Sequence, residues 1–226
     1  RCCISIHTPE SIMIRKTLLA LCAIAAFNLS GCKLVKNLPE DEKAVSAGAS
    51  GDAVRTEQRI ADTFETKLLP YVRDKALGFT AFRTALAGGF DEAGNIHGNR
   101  GSGQGAAWNF AIADEGVIVA AKLDTRARVA DLDVDGDGAA DMTIQLGPVI
   151  RGNALRDIAP FYNFDDFRDQ IEFAKLGRAL NDRISAEVVL PDGDLIGRPM
   201  RFTGVVPLKK ADEKLLVTPV SVEIMP

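Results

Sequence analysis

The chain has 226 residues, 46% of them hydrophobic and 26% charged, and 27 Lys+Arg against 31 Asp+Glu give a net charge of −4. This is the balance of a folded globular chain, not of a disordered or collagen-like one. A mildly acidic protein without a basic cluster is a poor partner for nucleic acid.

Residues 1–12, "RCCISIHTPESI", precede Met13 and read as an over-extended gene start. From Met13 the order is that of an export signal. Arg15 and Lys16 form a basic region, and Thr17 to Leu29 is a largely apolar run of 13 residues. A spanning helix needs about 20 apolar residues, so the run has the length of a signal-peptide core, not of an anchor. It ends in Leu29-Ser30-Gly31-Cys32. This resembles the lipobox of bacterial lipoproteins. The resemblance implies cleavage before Cys32, a diacylglycerol on its thiol, and attachment to a membrane in the periplasm; the alternative is an ordinary signal peptide with a chance cysteine. Lys33 follows; the resemblance to such lipoproteins implies that an aspartate there would favour inner-membrane retention, so of the inner and outer membranes the outer is favoured. Loss of residues 1–31 removes three cations and one anion and takes the net charge from −4 to −6. Of the four cysteines, Cys2, Cys3 and Cys22 fall within that leader and Cys32 carries the lipid. The mature domain then has no disulfide, and a hydrophobic core must hold it.

Residues 32–56 are polar and aperiodic and read as a tether. Residues 57–104 read as helices followed by a loop. Ile60, Phe64, Leu68 and Val72 recur every four residues along a helix beginning near Thr56. Pro70 ends or kinks that helix, or opens a second one that runs to Leu86 and stops at Gly88-Gly89. Gly88 to Ala107 reads as a glycine-rich loop that holds His97. Residues 105–150 turn to strands: "VIVAA" at Val117 to Ala121, a weaker run from Arg126 to Leu132, and "MTIQL", which alternates Met142, Ile144 and Leu146 with Thr143 and Gln145. Residues 151–190 return to helix, with Asn163 as cap and a body from Asn163 to about Ile184. In residues 191–226 "PDGD" is a turn. Two strands follow it, Met200, Phe202 and Gly204 marking one face of the first and Val220, Val222 and Ile224 one face of the second; Pro219 marks an edge or a break. The pattern predicts an α+β fold: a small barrel of about five strands with a helical subdomain formed by the N-terminal helices and an insertion after the third strand.

Two constellations offer chemistry. In "DVDGDGAAD", counting from Asp133, an EF-hand-like register puts carboxylates of Asp133, Asp135, Asp137 and Asp141 and the backbone carbonyl of Ala139 at ligand positions, with Gly138 at the glycine position. Position 12 is Ile144, which cannot ligate. A register from Asp131 fares worse, with Ala139 and Met142 at ligand positions. The cofactor expectation is a structural calcium at a hairpin tip, and the competing reading is an Asp-Gly turn. That turn does not need five aspartates within eleven residues, which repel one another unless screened. In "IRGNALRD", Arg151, Asn153, Arg156 and Asp157 could clamp an anionic or sugar ligand; alternatively Asn153 caps a short helix and Asp157 pairs an arginine. The aromatic residues of "FYNFDDF" read as core. His97 stands alone after the leader, so no multi-histidine zinc site, triad or cysteine nucleophile is available, and the nearby glycines carry no phosphate-loop lysine.

"GPVIRGNALRD" (Gly147 to Asp157) and "DQIEFA" (Asp169 to Ala174), with "WNF" at Trp108 and "KLLP" in the first helix, resemble the predicted periplasmic lipoproteins called domain of unknown function 2291. The resemblance runs from about residue 57 onward. It implies an OB-like barrel joined to a helical part, and an envelope lipoprotein often encoded beside sugar ABC-transporter genes. It implies no established activity. The chain therefore reads as a non-enzymatic accessory module of a sugar transport system, its partners the membrane through Cys32 and a transporter component. A carbohydrate hydrolase using Asp or Glu and a passive structural lipoprotein are the alternatives.

Overall fold

The computed structural model describes residues 45–225, apart from Ser102 and Gln104. The leader, Cys32 and most of the tether lie outside the described residues.

Five strands close a barrel: β2 (Trp108–Lys122), β3 (Ala127–Asp133), β4 (Met142–Pro148), β5 (Pro199–Leu208) and β6 (Leu215–Ile224). The order is β2-β3-β4-β6-β5, and β5 pairs back onto β2. A short β1 (Gly98–Arg100) adds to β2. β2 makes the closure. Its first part, Trp108 to Val117, pairs with β5, and its last part, Val117 to Lys122, pairs with β3 across a register shift between Ile118 and Ala120. All pairings are antiparallel except β4 with β6. This is the α+β, OB-like barrel that the strand pattern and the resemblance predict.

Alternation places Phe110, Ile112, Ala130, Leu132, Ile144 and Phe202 inside the barrel. Helix α3 (Phe79–Gly88) adds Phe79, Phe82 and Leu86 to the same core, with Phe82 edge-on to Phe110 at 5.3 Å between ring centroids. A second core lies on the outer wall. There Ala111, Val205 and Val220 meet Leu68 and Val72, Leu155 and Ile158, and Leu176 and Leu180 of the surrounding helices.

The first helix differs from its sequence pattern in an informative way. α1 (Asp52–Thr63) starts four residues earlier than the stripe suggests, passes through a π turn at Phe64–Leu68, and continues as α2 (Leu69–Lys75). Residues spaced by four drift about 40° per step around a pure α-helix. The wider π turn, in which the Leu69 N–H donates to the Phe64 carbonyl, winds the stripe back, so Phe64, Leu68 and Val72 are all buried. Pro70 follows in the first turn of α2, where its missing N–H is tolerated. The helix ends at Lys75 and does not reach Leu86. Leu77 instead bridges to the wall at Ile112, and the Asp114 carboxylate accepts the Phe79 N–H at 2.7 Å to start α3.

Three further expectations are corrected. The glycine-rich stretch after Gly88 is not all loop: α4 (Phe90–His97) and β1 occupy its first half. Asp91 and Glu92 favour the first turn of α4, and Gly94 lets the Trp108 ring lie where a Cβ would collide with it. The insertion helix does not begin at Asn163. Asn163 caps only a 3-10 turn, Phe164–Asp166, and α6 (Gln170–Glu187) starts under Asp169, whose side chain accepts from the Ile171 and Glu172 N–H groups. Val220 does not share a face with Val222 and Ile224. The β5–β6 register shifts there, pairing Thr203 with Ser221 and then Gly204 with Pro219, and the bulged Val220 turns to the outer core. Pro219 sits at this break in the β5 ladder and beyond the β4 pairing, which ends at Val217.

One ionic cluster fastens α1 to α6. Asp52, with no exposed surface, receives Lys175 Nζ at 2.8 Å, Arg55 Nη2 at 2.6 Å and Arg168 Nη2 at 3.1 Å. Arg55 Nε also reaches Glu172 at 2.6 Å. The hydrogen bond from Lys175, seconded by Arg168, holds the Asp52 carboxyl below its usual range against the opposing effect of burial. Arg55 does the same for Glu172. Both folded pKa values lie below the unfolded ones, so this stabilisation is complete above the ordinary carboxylate pKa of about 4 and fades as pH falls through the lowered values. In thermal melts the wild type should lose stability steeply below about pH 4. Asp52→Asn should melt lower at neutral pH and show a shallower acid decline; parallel declines would refute the assignment.

Candidate functional site

The acidic hairpin joins β3 to β4. Gly136 and Gly138 take positive φ, 84° and 87°, which lets the chain fold its backbone N–H groups inward. Asp133, only 7% exposed, accepts from Gly136 at 2.7 Å and from Gly138 at 2.8 Å. Asp141 Oδ2 accepts from Val134 at 2.8 Å and Asp135 at 3.2 Å. Asp135 and Asp137 accept from Asp137 and Ala139 in turn. Of the four expected carboxylates, Asp133, Asp135 and Asp141 each bring an oxygen within 4.8 Å of the others. Asp137 is not in that group. A calcium ion takes six to eight oxygens, so the three fit part of a coordination shell, and their hydrogen bonds already organise the turn.

The other constellation is assembled by the insertion. α5 (Ala154–Asp157) sets Arg156 against α6. Arg156 is 8% exposed, and its guanidinium stacks 3.8 Å from the Phe173 ring centre. Its Nε and Nη2 both lie 2.7 Å from Asp157 Oδ1, and Nη1 donates to the Phe173 carbonyl at 3.2 Å. A guanidinium carries five N–H donors, more than these contacts use. Burial pushes the Asp157 carboxyl up, and Arg156 opposes the shift.

This pair forms one wall of a cavity of about 210 Å³, completed by Asn99, Arg100, Tyr162 and Asn163. Asn99 Nδ2 donates to the Asp157 carbonyl at 2.8 Å, which ties β1 to α5. Gly101 lies so close to Asp157 that a Cβ there would approach Oδ2 to 3.1 Å. The Tyr162 hydroxyl bonds to that of Thr63 at 2.7 Å. Arg156 and Phe173 also line a neighbouring hollow of about 360 Å³, together with Asn153 and Phe164.

The four residues expected at this site divide. Arg156 and Asp157 meet at the cavity, and Asn153 flanks the neighbouring hollow. Arg151 lines neither; its backbone N–H donates to Gln145 Oε1 at 2.8 Å and its side chain is exposed. Asn153 precedes α5 without a side-chain capping bond. The sequence pattern singles out neither Asn99 nor Tyr162: Asn99 lies in a glycine-rich stretch with the composition of a loop, and Tyr162 stands among aromatics at core spacing and does join the core. His97 closes α4.

Asp133→Ala should destabilise the fold by about 1–3 kcal/mol, because two backbone N–H groups lose a buried acceptor. Urea unfolding measures it, and a change below about 0.5 kcal/mol, typical of an ordinary surface site, would show that the turn holds without Asp133.

With the geometry in place, comparisons with known proteins agree on fold and family. Among solved structures an OB-fold protein from Thermotoga maritima is similar, with a TM-score of 0.54 at 19% identity, covering 76% of this chain and 96% of that one. At that identity the likeness speaks for the fold alone. No curated protein matches. The family model described as predicted periplasmic lipoprotein, domain of unknown function 2291, matches residues 22–223. The chain belongs to this family of periplasmic lipoproteins.

Proposed function

We propose that this protein is a non-enzymatic binding module, held to the membrane by lipid on Cys32, and that its ligand site is the Arg156–Asp157 cavity. The observation that carries the reading is a buried ion pair at the cavity wall with unused hydrogen-bonding capacity. Asp157 balances Arg156, and Arg100, which has no ion-pair partner among the described residues, adds one positive charge to the lining, so the site suits a hydroxyl-rich ligand that is neutral or carries a single negative charge. Amide groups of Asn99 and Asn163 and the Tyr162 ring extend the same chemistry. The volume is below the range of about 300–1,000 Å³ of drug-sized pockets and suits a single sugar-sized ring. A sugar ligand accords with service to a sugar ABC-transport system, and Lys33 after Cys32 favours the outer membrane as the anchoring surface.

The hydrolase alternative is less well supported. Glycoside hydrolysis uses two carboxylates, and the cavity wall offers Asp157 alone. The net acidic charge of the chain gives a nucleic-acid role little support. A passive structural role predicts no ligand at all.

Thermal-shift screening of the domain against a monosaccharide panel tests the site. At least one sugar should raise the melting temperature saturably, by an amount equivalent to about 2.7 kcal/mol at a hundred times Kd. Asn99→Ala, at a half-exposed position, should weaken that response without unfolding the protein. No response across the panel, or one indifferent to both Asn99→Ala and Arg156→Lys, would sink the reading.

A structural calcium held by Asp133, Asp135 and Asp141 is a separate accessory element of the proposal. Extracellular sites of this kind bind with Kd of about 10⁻⁴–10⁻³ M. Millimolar calcium should raise the melting temperature and Asp135→Asn should abolish the rise; an unchanged melt ends the idea.

A further inference from the structure

A groove of about 660 Å³ runs between α1 and α6 on the face of the helical layer turned away from the barrel. Along α1 it extends from Ala53 to Glu65, about 18 Å at the usual helical rise. Ala53, Glu57, Ile60 and Phe64 recur at alternating spacings of four and three, the seam that one helix offers another. The facing wall is Lys175, Ala179 and Arg183 of α6, spaced by four. The apolar surface continues along α6 to Ala174 and to Ile171, which is 65% exposed. Exposed Ala53 and Ala61 on one wall and half-buried Ala179 on the other leave room for a third backbone to approach closely, and a helix seated there would bury Ile60 and Ile171.

The charge of the rims says what covers it. They differ in sign. Glu57 stands on α1 and Glu65 on the π turn that follows it, and Glu57 has no ion-pair partner among the described residues. Lys175 and Arg183 stand on α6. Lys175 reaches Asp52 at 2.8 Å, and Arg183 reaches Glu187 at 3.0 Å and Glu65 at 3.5 Å, yet their side chains stay 45% and 51% exposed and keep N–H donors for a partner.

We infer that the groove is a docking site for an amphipathic α-helix of another protein. Its apolar stripe would enter between α1 and α6, one flank presenting Lys or Arg to Glu57 and Glu65, the other presenting Asp or Glu to Lys175 and Arg183. The opposed rims fix the direction of the incoming helix, as flanking charges do in coiled coils. A second copy of this chain fits worse, since a groove on each copy leaves no ridge to enter the other.

The test uses the full lipidated chain in its own envelope, with a benzoylphenylalanine photo-crosslinker at exposed Ala61 or, as control, at exposed Thr80 on α3. Mass spectrometry identifies the linked peptide. The expected product, from Ala61 only, is a segment of one other protein with a helical apolar stripe and flanks of opposite charge. Reversing the rim with Glu57→Lys and Glu65→Lys should lower its yield about tenfold, while the melting temperature of the purified variant stays within a few degrees of wild type. Four outcomes would overturn the inference: a link to a second copy of this chain, a link to a phospholipid, equal labelling from Thr80, or a yield indifferent to the charge reversal. None of these depends on whether the Arg156–Asp157 cavity binds a sugar.

Discussion

Strands β4 and β6 run parallel, and much of the molecule follows from that pairing. Two parallel neighbours cannot be joined by a hairpin, so the chain must leave the barrel and return. It leaves at Pro148 and comes back through β5, and the path between carries α5, the aromatic turn and α6. That crossover has to bury its own apolar side. It does so against Ala111, Val205 and Val220, the small and branched residues of the outer wall, together with the π-wound stripe of α1 and α2. The barrel is thus built from alternating strands, and the features with chemical interest lie on the excursion that its topology requires.

The ionic cluster at Asp52 makes that excursion and the N-terminal helix into one layer. A carboxylate without exposed surface would be costly if left unpaired. Here three cations converge on it, from α1 itself, from the loop before α6 and from α6. Arg55 also donates to the backbone carbonyls of Ser46 and Gly48, so the last residues before α1 are drawn onto the same cluster. The approach to α1 is therefore set by charge, whereas the body of the layer is held by apolar contact.

The strands were legible in the sequence because alternation is local: Met142, Ile144 and Leu146 declare a face without reference to any other segment. The first helix was legible as an element, but its π turn was not, although the four-residue spacing of Ile60, Phe64, Leu68 and Val72 already conflicts with a pure α-helix. α4 was masked by glycines whose role is set from a distance, as Gly94 makes room for Trp108. The outward turn of Val220 depends on pairing with β5, which no window around Val220 contains. The candidate sites divide the same way. Arg156 and Asp157 are adjacent and could be read together. Asn99 reaches them only because β1 lies beside α5, and that juxtaposition belongs to the fold.

Hydrogen-bond accounting then separates the two polar constellations that looked alike in sequence. In the hairpin, Asp133, Asp135, Asp137 and Asp141 each accept at least one N–H from the turn they occupy, so the acids are explained first by the turn they shape. At Arg156 the balance is the reverse. The side chain is buried, which is expensive, and it still holds donors beyond those Asp157 and Phe173 accept. A domain without a disulfide in its mature part has reason to place acids where they fix a hairpin. Arg156 fastens α5 to α6 through Phe173 and Asp157, and it still has N–H groups beyond those contacts at the edge of the cavity. The aspartates are thus accounted for by the turn they build, whereas Arg156 has hydrogen-bonding capacity that the crossover itself does not use.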